Sequence, residues 1–247
     1  MEITAHIAAL DEQGEGLAAA AGQAGLAADV PTCPRWTVRQ LLEHTGKVHR
    51  WAATHVREGR AAFGGGSPRM ATPPADGLLD WFVEGHAALV AALRAAPADL
   101  DCWSFLPSPS PLAFWARRQA HETAIHRADA DSARGAVPTY DAPFAADGIG
   151  ELLGGFYARR GGPLRADPPC SLLVVPTDAG QHWHVALDPD GRRISADADL
   201  PADCTVRGPA SDLYLLLWNR QPARPPQISG DEAVMELWRE RAQIKWR

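Results

Sequence analysis

The sequence lacks any apolar run that approaches the ~20 residues a helix needs to span a bilayer. It begins MEITAHIAAL, without the basic stretch and apolar core of a secretory signal, so we expect a cytoplasmic protein with no membrane partner. Basic residues are in the minority, because 24 Lys and Arg stand against 30 Asp and Glu, for a net charge of −6. That balance does not favour a nucleic-acid partner.

Cysteine is also scarce, and its four positions form no CxxC pair. This excludes a disulfide framework and a zinc site built from paired cysteines, so we interpret the cysteines as free thiols or packing residues. The order of Ser, Cys and His residues indicates no protein nucleophile, and we interpret Cys33 as structural. The glycines at 64–66 do not form a phosphate loop, because they follow a predicted helix and no GK[ST] sequence comes after them.

The N-terminal half has the apolar spacing of helices. Thr37 and Gln40 form a capping-box sequence at the start of the second helix. A segment rich in glycine and proline follows that helix and predicts a long loop over 63–77. Four helices of this length predict a bundle, with approximate bounds 3–22, 37–57, 78–95 and 112–131.

After about residue 135 the pattern changes to short strand-like segments between helices. Asp190-Gly191 predicts a hairpin, and Ser229 with Glu232 resembles a second capping box. We therefore predict mixed α and α/β character in two domains, a helical bundle over 1–135 and a small α+β domain over 136–247. The expected helices of the second domain are 141–162, 209–220 and 229–246, and the expected strands are 171–177, 182–188, 192–197 and 204–208.

The strongest local signal is RRQAHETAIHRADAD, residues 117–131. Glu122 and His126 are four residues apart on a predicted helix, so their side chains project from one face and could share a metal. The string is not the HExxH motif of zinc proteases, because the position four residues after His121 is Ile125. The alternative for the Glu–His pair is a surface contact.

A third ligand is available on the second predicted helix. His44 lies on an apolar stripe that we expect to face the bundle, where facing helices often build metal sites. His49 lies about 140° further around the same helix and cannot point at the same metal. The alternative for His44 is a satisfied histidine in the core.

Four segments together resemble the mycothiol-dependent maleylpyruvate isomerase family, within the DinB-like group of metal-binding four-helix bundles. They are TCPRWTVRQLLEHTGKVHRWA (32–52), ARRQAHETAIHRADA (116–130), GPASDLYLLLWNR (208–220) and ISGDEAVMELW (228–238). The resemblance implies a DinB-like bundle followed by a sterol-carrier-like α+β domain. It also implies that His44, Glu122 and His126 bind zinc or another divalent metal.

The resemblance further implies an actinobacterial enzyme in which the metal activates the thiolate of mycothiol, a low-molecular-weight thiol. The thiolate would add to a small electrophilic substrate, either for cis–trans isomerisation, as with maleylpyruvate, or for transfer of the thiol. A non-catalytic metal- or small-molecule-binding protein and a zinc-water hydrolase are the alternatives. Thr45 and Gly46 after His44 depart from the apolar residues common in the family and suggest an altered pocket wall.

Several further residues could assist the chemistry. Arg118, one turn before Glu122, could either bind a substrate carboxylate or have no functional role, as an ion-pair partner of Glu122 or a solvated arginine. Asp129 could orient the imidazole of His126 from behind, or remain a surface charge. Packing explains three further candidates equally well, namely Trp115, Trp218 and Arg220. His182 and His184 could chelate a metal from one strand face, but they lack a third ligand.

Overall fold

The computed structural model describes residues 1–62, 71–159, 161–197 and 199–244. The chain divides into two compact units, Met1–Pro138 and Thr139–Arg247, three residues beyond the boundary expected from the sequence. The glycines at 64–66 and the last residues of the predicted helix 229–246 lie outside the described residues. No described helix is long and apolar enough to cross a membrane.

The first unit is a bundle of four long helices, as the apolar spacing predicts. Their bounds are α1 Ile3–Ala24, α2 Val38–Glu58, α3 Leu78–Ala95 and α4 Pro111–Ser132, with a short 3₁₀ turn at Ala75–Gly77 before α3. The α2 capping box is confirmed, because Oε1 of Gln40 accepts the backbone N–H of Thr37 at 2.6 Å. Ser110 caps α4 by accepting from the backbone N–H of Ala113 at 3.2 Å.

Each helix packs mainly on two others, in the cyclic order α1, α4, α2, α3. Helices α1 and α2 are therefore diagonal, and the loop that joins them crosses one end of the bundle. The core between them is apolar and includes Leu17, Val38, Leu41, Leu42, Leu78 and Phe82, all fully buried. Helix α4 is buried along most of its length, which places its polar residues inside the bundle.

The second unit combines helices with one mixed sheet. The helical elements are α5 Ala142–Gly150, continued by a π-helical turn Glu151–Phe156, then α6 Ala210–Leu217 and α7 Ala233–Arg241. The strands are β1 Cys170–Pro176, β2 Trp183–Asp188, β3 Gly191–Ser195, β4 Cys204–Gly208 and β5 Gln227–Gly230, in the order β3-β2-β1-β4-β5. Strands β1 and β4 run parallel, and the pairs β1–β2, β2–β3 and β4–β5 are antiparallel. The four predicted strands and the hairpin at Asp190-Gly191 are confirmed.

The predicted capping box at Ser229 is wrong. Ser229 lies in β5, opposite Thr205 of β4, and helix α7 begins only at Ala233. The carboxylate of Asp231 accepts the N–H of Ala233 at 3.0 Å and takes the place expected of Ser229. Gly230 ends the strand with a φ of 91°, and a Cβ there would lie 2.1 Å from the carbonyl oxygen of Asp203.

Candidate metal centre

The three predicted ligands meet inside the first unit. Glu122 and His126 project from one face of α4, one turn apart, and His44 reaches them from α2. Nε2 of His44 lies 3.5 Å from Oε1 of Glu122, and Nε2 of His126 lies 3.4 Å from the same oxygen. The ligand atoms of all three residues lie within 4.8 Å of one another.

These distances fit a metal ion of the size of zinc. Ligand atoms about 2.0–2.2 Å from a tetrahedral zinc are separated from one another by about 3.3–3.6 Å. The His44–Glu122 and His126–Glu122 pairs, at 3.5 and 3.4 Å, already have that spacing. Two imidazole nitrogens and a carboxylate oxygen also form a donor set that zinc accepts.

Arg118 lies against the carboxylate of Glu122 on the side away from the two histidines. Its guanidinium donates to Oε2 at 3.1 Å, and the arginine is 1% exposed. Of the two possibilities that the sequence left open for Arg118, this geometry favours the ion pair with Glu122. Burial raises the pKa of Glu122, but the hydrogen bonds from His126 and His44 and the charge of Arg118 outweigh it and hold that pKa well below its ordinary value.

Asp129 lies behind His126, where it can orient the ring. Its Oδ2 is 2.8 Å from Nδ1 of His126, and the aspartate is fully buried. Nε2 of His126 is therefore the nitrogen that faces Glu122. Burial lowers the pKa of His126, but the carboxylates of Asp129 and Glu122 raise it overall to about 9.

Trp36 is a neighbour of the centre that the sequence did not indicate as functional. Its ring centroid lies 4.9 Å from that of His44 and 6.2 Å from that of His126. A tryptophan directly before the capping residue Thr37 fits a hydrophobic staple, which is a packing role. Its position inside the segment 32–52, which carries the family resemblance, was the one available signal.

Thr45 and Gly46, the two residues that depart from the family pattern, lie in the buried interior of the bundle. The hydroxyl of Thr45 donates to the carbonyl of Leu41 at 2.9 Å. A Cβ at Gly46 would lie 2.3 Å from the ring of Trp81 on α3, so glycine permits the close approach of α2 and α3. His49 points away from the three ligands, and its Nε2 lies 2.9 Å from the hydroxyl of Thr123.

The remaining candidates lie elsewhere. Trp115 is fully buried and donates its N–H to the carbonyl of Trp103 at 2.9 Å, a core position. Nε2 of His184 lies 3.1 Å from the carbonyl of Pro201. Arg220 donates to the carbonyl of Trp218 at 2.7 Å, within the second unit. The thiol of Cys33 lies 3.6 Å from Oδ2 of Asp129.

Comparisons with known proteins divide the chain at the same place as the two compact units. The family model of the mycothiol maleylpyruvate isomerase N-terminal domain matches residues 7–131, and the model of the C-terminal domain of that family matches residues 143–237. A search of curated proteins gave no match.

Two crystal structures of the mycothiol-dependent maleylpyruvate isomerase, one of them of a mutant, share the fold. Each comparison covers 93% of this chain and 93% of the solved one, with a TM-score of 0.62. The sequence identity is 13% for the mutant and 14% for the other structure. Together the two family models cover most of both compact units. The chain belongs to the mycothiol maleylpyruvate isomerase family.

Proposed function

We propose that this protein is a mycothiol-dependent isomerase with a divalent metal, zinc for preference, held by His44, Glu122 and His126. The observation that carries the proposal is the convergence of these three side chains at ligand spacing inside a family-matched bundle. Three protein ligands leave a fourth position of a tetrahedral ion open, which is the arrangement of catalytic zinc. When bound, the metal would act as a Lewis acid that lowers the pKa of a coordinating thiol.

The residues around the ligands would keep the centre in one geometry. Arg118 donates a hydrogen bond to Oε2 of Glu122, so that Oε1 would be the oxygen that binds the metal. Asp129 holds Nδ1 of His126, so that Nε2 is directed at the same point. Trp36 packs beside the two imidazoles and adds an aromatic wall to the centre.

The reactants of the proposed reaction are the thiol and a cis-unsaturated diacid. The thiolate sulfur bonds to one alkene carbon, and the π electrons move onto the conjugated carbonyl as an enolate. The former double bond then rotates as a single bond. When the carbonyl re-forms, the C–S bond breaks, the trans alkene forms and the thiolate is released unchanged.

The test is product analysis with zinc-loaded protein, mycothiol and maleylpyruvate, followed by proton NMR and mass spectrometry. The proposal is supported if the trans isomer forms catalytically, if its formation requires the thiol, and if His44→Ala loses the activity. A stable thiol adduct would instead indicate S-transfer. Turnover without thiol would indicate a zinc-water hydrolase, and thiol or metal binding with no turnover across an electrophile panel would indicate a binding protein.

A further inference from the structure

Residues 29–37, the part of the connection from α1 that leads into α2, form a loop closed by its own backbone. Val30 donates to the carbonyl of Trp36 at 2.9 Å, and Trp36 donates to the carbonyl of Cys33 at 2.8 Å. Asp29 and Thr37 form an isolated antiparallel bridge at the two ends of the loop. These bonds fix the positions from which the loop's side chains extend. We call this segment the α1–α2 loop.

The α1–α2 loop contacts the C-terminal end of α4, in the turn after His126. Because α1 and α2 are diagonal in the bundle, the loop must cross the bundle end between them. The hydroxyl of Thr32 donates to Oδ1 of Asp129 at 2.5 Å, across 97 residues of sequence. The hydroxyl of Ser132 lies 3.3 Å from that of Thr32 and donates to the backbone carbonyl of Asp129 at 2.7 Å.

The two oxygens of Asp129 therefore have different partners. Oδ1 accepts from Thr32, while Oδ2 lies 2.8 Å from Nδ1 of His126. Oδ2 also lies 3.6 Å from the thiol of Cys33. The hydroxyl of Thr32 restrains rotation of the carboxylate about its last torsion, which is broad for aspartate. With Thr32 on the first oxygen, the second is held in the position that orients the ring of His126. The aspartate is fully buried, so water does not reach it to replace the hydroxyl of Thr32.

We propose that Thr32 is a positioning residue of the metal centre, which acts through Asp129 to fix the orientation of His126. The inference rests on the proposed function, because it takes His126 as a metal ligand. Groups that contact a metal ligand directly, as Asp129 contacts His126, typically change metal affinity about 10–100-fold when they are removed, and Thr32, one contact further out, should act at the lower end of that range. Thr32 lies on neither helix of the ligand motif, so a third segment of the chain takes part in building the centre.

The experiment compares the zinc affinity of Thr32→Val, Thr32→Ser and the wild type by competition with a chromophoric chelator. Thr32→Val keeps the size and branching of the side chain but removes the hydroxyl, and we expect a dissociation constant raised about tenfold. Thr32→Ser keeps the hydroxyl and should bind zinc with nearly wild-type affinity. Thr54→Val is the matched control, because the hydroxyl of Thr54 donates to the carbonyl of Arg50 on its own helix, away from the ligand candidates.

A second readout follows the coordination itself. Cobalt(II) replaces zinc in each variant, and the visible absorption bands report the ligand field. We expect altered bands in Thr32→Val and wild-type bands in Thr32→Ser and Thr54→Val. Circular dichroism and thermal unfolding show which variants are folded, and Thr32→Ala replaces Thr32→Val if the latter does not fold.

The outcomes separate this inference from the proposed function. Unchanged zinc affinity and cobalt bands in a folded Thr32→Val or Thr32→Ala overturn the positioning role, while the metal centre itself stands. Weakened binding in Thr32→Ser as great as in Thr32→Val also overturns it, because the hydroxyl would then not be the cause. A wild-type protein that binds no zinc overturns the proposed function instead.

Discussion

Replacing Arg118 with methionine should destabilise the metal-free protein strongly. Arg118 is 1% exposed and lies 3.1 Å from Oε2 of Glu122, which is 8% exposed. Removing one partner of a buried ion pair typically costs about 3–5 kcal/mol, because the other charge stays buried without compensation. His44 and His126 still face the other oxygen of Glu122. We therefore expect the lower end of that range, about 3 kcal/mol.

The assay is urea unfolding in the presence of a chelator, so that bound metal cannot neutralise Glu122. Arg39→Met is the matched control, because Arg39 and Glu43 form an ion pair with the same i,i+4 spacing, 3.6 Å apart. Their side chains are 34% and 25% exposed, so this pair should contribute only about 0.5 kcal/mol or less.

The comparison is decisive because both variants lose the same side chain from a helix. If Arg118→Met and Arg39→Met lowered the free energy of unfolding equally, by less than about 1 kcal/mol, Arg118 would not be the buried partner of Glu122. Adding zinc should reduce the loss in Arg118→Met, because the ion would supply positive charge beside Glu122. Zinc should leave the Arg39→Met difference unchanged.

Three further predictions concern packing and protonation. Gly46→Ala should cost about 1–3 kcal/mol of stability, because its Cβ would lie 2.3 Å from Trp81. Gly154→Ala should not lower the melting temperature, because a Cβ there would meet no atom of the described residues within 4 Å. Burial, and then the charge of His86, lower the pKa of His49 well below 6.5, so the unfolded chain takes up a proton that the folded protein does not. Unfolding free energy should therefore fall as the pH drops below 6.5, by up to about 1.4 kcal/mol per pH unit, and His49→Gln should flatten that slope. Because the pKa of His126 is raised to about 9, zinc binding at neutral pH should release its proton. The calorimetric enthalpy should then change with the ionisation enthalpy of the buffer, and identical enthalpies in two such buffers would contradict the protonated state.

The helices in which apolar residues recur with a strong helical period could be predicted from the sequence. The apolar spacing of α1 to α4 and the capping box at Thr37 gave the bundle, because long amphipathic helices repeat their signal over several turns. The i,i+4 spacing of Glu122 and His126 placed both on one face of α4. The apolar stripe of α2 predicted only that His44 faces the bundle, and its interpretation as a metal ligand needed the family resemblance as well.

Short and non-local features could not be predicted in the same way. Strand β5 has four residues and follows a proline-rich segment, so it has no alternation to detect. The π-helical turn after Gly150 has no sequence signal of its own. The contact of Thr32 with Asp129 depends on the diagonal placement of α1 and α2, which only the packed bundle determines.

The central claim is that His44, Glu122 and His126 form one metal site. Elemental analysis of wild-type protein, His44→Ala and the control His182→Ala, each equilibrated with zinc and then desalted, tests it most directly. We predict one tightly bound zinc per chain in the wild type and in His182→Ala, and none in a folded His44→Ala. One zinc retained in His44→Ala, or none in the wild type, would contradict the site.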